Sequence, residues 1–383
     1  MTSLHLTYIA NARFPSGRAH GIQIAKMWEA FVTHNITVNL FIPRRFPYDH
    51  GSAAEAVTFY TLMGAPSFYR IHRVPLFVYR RAHYFGFLIG SFFFGIISTW
   101  RALRQSGVIY SVDLDYFSFF LIPFLRKPYF FEIHSAKKDT FFHRLLFKHI
   151  SGVIAINDNV KEALIKTFPT LTGKVIVCPN GVDVERYGQD SFDDPVVLDA
   201  LRLTKGIKTP SVVYTGSFQD WKGLGTVIDA ALELPSVHFY LVGGTKEELG
   251  EGKNAIPPNV HIVALQPFSE IGLWQRGADI LLLTGTKESE YSFRYTSPMK
   301  LFEYMAARRP IVAAQTPAIE SIVTEKEVWF FKPDDADDLV RVIGEVIHGM
   351  QNEIKVAAAF ARAQELSWNK RAERIISFIQ ERL

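Results

Sequence analysis

Cysteine is the scarcest resource in this sequence. Of 383 residues only Cys178 carries a thiol. That excludes an internal disulfide and a cysteine-based zinc site, and it fits a reducing, cytoplasmic compartment. Charge of one sign is barely in excess. The formal net charge is +4, too little by itself to argue for a nucleic-acid partner. Met1-Thr-Ser-Leu-His5 has no basic n-region, so no secretory signal is expected. The G-x-G-x-x-G dinucleotide fingerprint and the H-E-x-x-H metalloprotease pattern are both missing. So are low-complexity tracts and repeats of about 20 to 50 residues. Asp113-Leu-Asp115 is spelled like a metal pair, but it lies far from the loops described below and reads as a cleft edge or helix cap. No metal and no cofactor is expected.

Apolar residues are plentiful. They make up 48% of the chain against 21% charged, so the protein is globular, and its length favours two domains. The opening follows a βαβ rhythm. A strand is expected over Leu4 to Ile9, a loop with Pro15, Gly17 and Gly21, a helix through Ile22, Ile24, Met27, Trp28 and Phe31, and a strand over Ile36 to Ile42. A right-handed crossover then implies a parallel sheet. Further strands are expected at Val57–Leu62, Val108–Tyr110, Tyr129–Glu132, Val153–Ile156 and Lys174–Val177. Between them, Tyr84 to Trp100 is an apolar run at the short limit of a transmembrane helix. It reads as a buried helix on the sheet, as a helix in the membrane interface beside Arg80 and Arg81, or as a span that would thread the sheet through a bilayer.

The most informative stretch is Tyr295-Thr-Ser-Pro-Met-Lys-Leu-Phe-Glu-Tyr-Met-Ala-Ala-Arg-Arg-Pro310 and the strand after it, Ile311 to Ala314. A buried strand, Ile280 to Leu283, precedes it. Ser297 and Pro298 read as N-cap and first helical residue. Leu301, Phe302 and Met305 form an apolar face with Glu303 off the stripe, and Pro310 stops the helix. In an open parallel sheet such a loop lies beyond the carboxyl ends of the strands, where ligands bind. The free N–H groups of Met299 and Lys300 suit a phosphate, and Glu303 suits the hydroxyls of a ribose. A capped helix that merely packs on a sheet is the plainer alternative.

The segment Ser297-Pro-Met-Lys-Leu-Phe-Glu-Tyr-Met-Ala-Ala307 resembles the donor-binding signature of family 4 glycosyltransferases, the retaining enzymes of the GT-B fold. Pro179-Asn-Gly-Val-Asp183 resembles the family's handover between domains. Thr215-Gly-Ser-Phe-Gln-Asp-Trp-Lys-Gly223 resembles its phosphate loop. The resemblance implies an α/β protein of two Rossmann-like βαβ domains facing a central cleft. Residues 1–185 would be an acceptor domain, 186–366 a donor domain, and 367–383 a helix returning to the first. It also implies roles. Lys222 and the backbone of Gly216 and Ser217 would hold the donor diphosphate. Leu265 to Phe268 would line the nucleobase, and Ser297 to Lys300 with Glu303 would hold phosphate and ribose. His134, just past a strand end, would contact the donor sugar. Gly21 in the first loop, with Arg18 and His20, would face the cleft.

Two departures stand out. The family often carries two glutamates eight positions apart, and here the first position is Tyr295 and the second Glu303. An arginine usual after the first glycine of the phosphate loop is Ser217, so Arg294 or Lys300 would have to supply that charge. The implied function is transfer of a UDP- or GDP-linked sugar, with retention, to a glycan or lipid-linked acceptor in polysaccharide or glycolipid synthesis. The enzyme would be cytoplasmic or peripheral on the cytoplasmic face of an anionic membrane, with the nucleotide sugar as co-substrate. A degenerate sugar-nucleotide-binding protein and a UDP-sugar 2-epimerase remain as alternatives.

Overall fold

The computed structural model describes residues 4–12, 14, 19–46, 70–77, 83–113, 121–187, 194–249, 256–349 and 352–383. It divides into two compact units. One comprises Met1–Cys178 with Trp368–Leu383, the other Pro179–Ser367. The strand expected over Val57 to Leu62, Arg18 of the first loop and the pair Arg80–Arg81 lie outside the described residues.

Among the described residues the first unit holds seven strands: β1 (His5–Ile9), β2 (Thr37–Phe46), β3 (Arg70–Phe77), β4 (Val108–Val112), β5 (Tyr129–Ile133), β6 (Gly152–Ala155) and β7 (Val175–Val177). Their order is β3-β2-β1-β4-β5-β6-β7, and every pairing is parallel. β3 has no counterpart among the sequence-based expectations, because its Arg-Ile-His-Arg-Val-Pro pattern lacks an apolar run. The helices are α1 (Ala19–Thr33), α2 (His83–Leu103), α3 (Phe141–His149) and α4 (Asp158–Thr167). Inner strands such as β4 and β5 are buried along their whole length, as a sheet covered on both faces requires. Thr140 and Asn157 cap α3 and α4 by accepting bonds from the amides of His143 and Val160.

The second unit has β8 (Ser211–Thr215), β9 (His238–Val242), β10 (Val260–Val263), β11 (Ile280–Leu283), β12 (Ile311–Ala314) and β13 (Trp329–Phe331). The order is β10-β9-β8-β11-β12-β13, again all parallel. Its helices are α5 (Pro195–Lys205), α6 (Gly225–Glu233), α7 (Phe268–Gly277), α8 (Met299–Ala306), α9 (Pro317–Glu320), α10 (Ala336–His348) and α11 (Asn352–Glu365). α5 lies in the stretch before β8. Asp194 accepts from the Val196 amide at its start, and Gly206 ends it in the left-handed region at φ 68°.

The last helix, α12 (Trp368–Gln380), belongs to the first unit. It packs on α1, with His34 Nε2 3.1 Å from the Asn369 carbonyl. Phe378 meets Phe130 edge to face, ring centroids 6.0 Å apart. A Cβ on Gly152 would come 2.5 Å from the Phe378 ring, so only glycine lets β6 lie under that helix.

Candidate nucleotide-sugar site

In each sheet the strand order reverses once, between β1 and β4 and between β8 and β11. The carboxyl ends of those strands are where an open α/β sheet binds ligands. Candidate residues gather at both places, in two clusters.

In the second unit the loop after β8 turns at Gly216, with φ 139°, and Gly216 donates its N–H to the Val242 carbonyl at 2.8 Å. A Cβ on Gly216 would sit 2.6 Å from Lys300 Nζ, and one on Gly243 would sit 2.7 Å from the Gly216 carbonyl oxygen. Two glycines therefore let two loops and a lysine meet at one point. Lys300 Nζ lies 3.5 Å from the centre of the Tyr214 ring. Lys222 ends a short turn, Asp220–Lys222, closed by Gly223 in the left-handed region, and its Nζ lies 3.7 Å over the Trp221 ring. Burial pushes Lys222 down to about 8. Burial also holds Lys300 well below the ordinary lysine value; the charge of Lys222 lowers it further, and Glu303 partly opposes both.

Glu303 on α8 is held from behind. Gln275 Nε2 donates to its Oε2 at 3.1 Å and to Thr215 Oγ1 at 3.1 Å. Tyr187 donates to Gln275 Oε1 at 2.6 Å. Burial raises the Glu303 carboxyl, while the Gln275 bond and Lys300 offset part of that rise. The same helix is tied to the end of β8, where the Thr215 amide donates to the Tyr304 hydroxyl at 2.9 Å. Gln275 and Tyr187 lie outside every quoted motif and Tyr304 lies within the Ser297–Ala307 signature, and the sequence reading gave none of the three a role.

Several expectations need correction here. Ser297 does not cap α8, which has no side-chain cap. Its hydroxyl accepts from the Asn180 amide at 3.1 Å, and its carbonyl accepts from Asn180 Nδ2 at 2.7 Å. Two segments 117 residues apart in the chain thus make one loop platform. Pro298 occupies the cap position, and Met299 is the first helical residue. Of the two candidate second cations, Lys300 stands against Gly216, whereas Arg294 is exposed near the Phe293 ring. Tyr295 ends a wide π-type turn and donates to Glu290 at 3.2 Å. Ser217 is exposed, and its carbonyl accepts from the Tyr214 hydroxyl at 3.0 Å. Leu265 is 79% exposed. Phe268 opens α7 with the Arg186 guanidinium 4.1 Å over its ring.

In the first unit His134 follows β5 directly. Its Nε2 lies 2.8 Å from Glu132 Oε1. Glu132 is fully buried and takes further bonds from Gln23, Tyr110 and Arg371, the last at 2.7 Å. Burial opposes its ionisation, but the Arg371 guanidinium and His134 outweigh that and hold the carboxyl far below the usual range. Arg371 comes from α12 and also donates to the Cys178 carbonyl at 3.2 Å. His134 thus rests on an ion pair that joins residues 239 positions apart, which no local pattern reveals. The His20 ring lies 6.2 Å from that of His134. Gly21 is not in the loop as expected: α1 begins at Ala19, so His20 and Gly21 sit in its first turn. Asp115 lies outside the described residues, and Asp113 is the last described residue after β4. It pairs with Lys137 at 2.6 Å. Among the described residues no group of three or more histidine, cysteine or acidic side chains is placed to hold a metal.

The fold agrees with the comparisons to known proteins. Residues 209–348 match the family model of glycosyl transferases group 1. HepE of Anabaena, solved in complex with UDP-glucose, is 16% identical with a TM-score of 0.72, covering 99% of this chain and 100% of its own. The sucrose-phosphate synthase of Thermosynechococcus elongatus is 14% identical with a TM-score of 0.74, covering 99% and 98%. WaaG, a glycosyltransferase involved in lipopolysaccharide biosynthesis, is 14% identical with a TM-score of 0.64, covering 98% and 99%. No curated protein is significantly similar in sequence. The protein has the α/β fold of the GT-B glycosyltransferases, with its last helix returned to the first unit. Its second unit carries the group 1 glycosyl transferase pattern.

Proposed function

We propose that this protein is a retaining glycosyltransferase of the family 4 type, moving a sugar from a nucleotide-sugar donor to a glycan or lipid-linked acceptor. The observation that carries the reading is the pair Lys222 and Lys300 at the mouth of β8, with Gly216 leaving room and Glu303 fixed by Gln275. Two partly buried cations, both lowered by burial and Lys300 lowered further by Lys222, are poorly matched to an empty pocket and well matched to a diphosphate. Glu303, one helical turn on, suits ribose hydroxyls. The complexes of HepE with UDP and with UDP-glucose favour a UDP-linked donor. With tyrosine at 295 there is no carboxylate at the position of the first family glutamate. The consistent chemistry is therefore a same-face displacement. The bond from the anomeric carbon to the diphosphate oxygen breaks as the acceptor oxygen bonds on that face. The acceptor's proton passes to the departing diphosphate. A product of inverted configuration, read by NMR coupling at the anomeric carbon, would refute this.

The donor site is tested by thermal shift with UDP, GDP and ADP. UDP is expected to raise the melting temperature by mass action, with smaller shifts for the other two. Lys300→Met should abolish the UDP shift while leaving the free protein as stable or more so, since it removes a confined cation from beside Lys222. No shift with any nucleotide, or an undiminished shift in Lys300→Met, would overturn the assignment. A degenerate binding protein is the second reading, and Tyr295 in place of the first glutamate favours it. UDP binding without transfer or donor hydrolysis would select it.

A further inference from the structure

We propose that the outer face of α2 is a docking surface for an anionic lipid bilayer, along which the helix lies without crossing. α2 is built inside out. A helix on a sheet normally turns its large apolar side chains inward. Here Gly90, Ser91, Gly95, Ser98, Thr99 and Ala102 are buried, with Phe94 the one large exception among them. Ser91 accepts a bond from Asn11 at 2.9 Å, and Ser98 donates to the Gly95 carbonyl. This small face lets α2 pack on β3.

The large side chains point the other way. Ile89, Phe92, Phe93, Trp100 and Leu103 are 55%, 39%, 51%, 50% and 54% exposed, and Ile96 is half-buried between them. Spacings of three and four residues keep all six on one stripe. At about 1.5 Å per residue the stripe is roughly 20 Å long. Scattered exposed apolar residues need no explanation, but a continuous apolar stripe marks an interaction site.

Charge selects the partner. α2 contains no aspartate or glutamate, while Arg101 in its last turn is half-buried and Arg104, just past its end, is exposed. The Arg104 guanidinium lies 3.7 Å over the Trp100 ring. That places a cation at the edge of the apolar stripe, as an aromatic–basic helix at a headgroup boundary requires. A second copy of this face would bring like charge against like charge, whereas anionic headgroups would neutralise it. No helix among the described residues is long and apolar enough to cross a membrane, so the helix lies on the surface. The inference stands apart from sugar transfer, because lipid binding requires neither donor nor acceptor.

The test is co-sedimentation of the full chain with phosphatidylcholine–phosphatidylglycerol vesicles and with pure phosphatidylcholine vesicles. Wild type is expected to bind the former, release with salt and ignore the latter. Phe93→Ser combined with Trp100→Ser should lower the partition about tenfold or more with an unchanged UDP thermal shift. Leu103→Glu, in the last turn, is a second variant that does not depend on the folding of the first. Absence of wild-type binding, or equal binding by wild type and both variants, would overturn the proposal. So would a wild-type dimer in light scattering that the double variant disperses, since the stripe would then belong to a second copy.

Discussion

Lys222→Ala is expected to lower turnover about 100-fold or more, the loss typical of removing one preorganised donor from a developing anion, while the melting temperature stays near that of wild type. The two effects separate because Lys222 does little for the fold. Its Nζ rests over Trp221, and burial already pushes its pKa down to about 8 from the ordinary 10.5. The unfolded chain therefore holds more protons between those two values. Stability of the free protein should rise with pH across that window rather than fall. Nucleotide affinity should run the other way, because the diphosphate wants the charged form and loses it as pH rises through about 8. Titrating UDP affinity from about pH 7 to about pH 9 checks the sign. Affinity that stays flat over that range would remove the lysine's proton from donor binding. Wild-type turnover in a folded Lys222→Ala protein would remove the side chain from the mechanism.

The largest loss of stability is expected from Arg371→Met, about 3–5 kcal/mol, the range for stripping one partner from a buried ion pair. Glu132 is fully buried and held ionised by Arg371 and His134. Its depressed pKa contributes stability that is present above the ordinary carboxylate value and is lost as pH falls through the folded one. Without Arg371 that sign reverses. The desolvated carboxylate then favours protonation, so the deficit should be greatest at neutral pH and shrink in acid. Arg371→Met with Glu132→Gln should recover much of the loss, because it removes the orphaned charge as well as its partner. Urea unfolding of the three proteins at neutral and acidic pH decides the matter. A double variant no more stable than the single would mean that Arg371 acts through its packing against the Cys178 carbonyl and α12, not through Glu132.

These two residues mark how much of the molecule was legible in the sequence. Lys222 sits in a local phrase, Trp221-Lys-Gly223, after an apolar strand and before an apolar helix. Glycine, proline and the change of hydrophobic period announce such a loop within about ten residues. For the same reason β11, β12 and α8 could be read from the chain. Their signals are short-range, set by which side chains must face a core, whereas the candidate roles of Glu303 and His134 were implied by the family resemblance.

Tertiary structure alone decided the rest. Arg371 meets Glu132 across 239 positions and Asn180 meets Ser297 across 117, and nothing in either local pattern encodes its partner. That Lys300, and not Arg294, stands against Gly216 turned on the room a glycine leaves there. The direction in which α2 faces turned on β3, an edge strand whose mixed pattern gave no warning. Periodicity fixes that a helix has two faces. Only what packs against it determines which of them stays in contact with water or lipid.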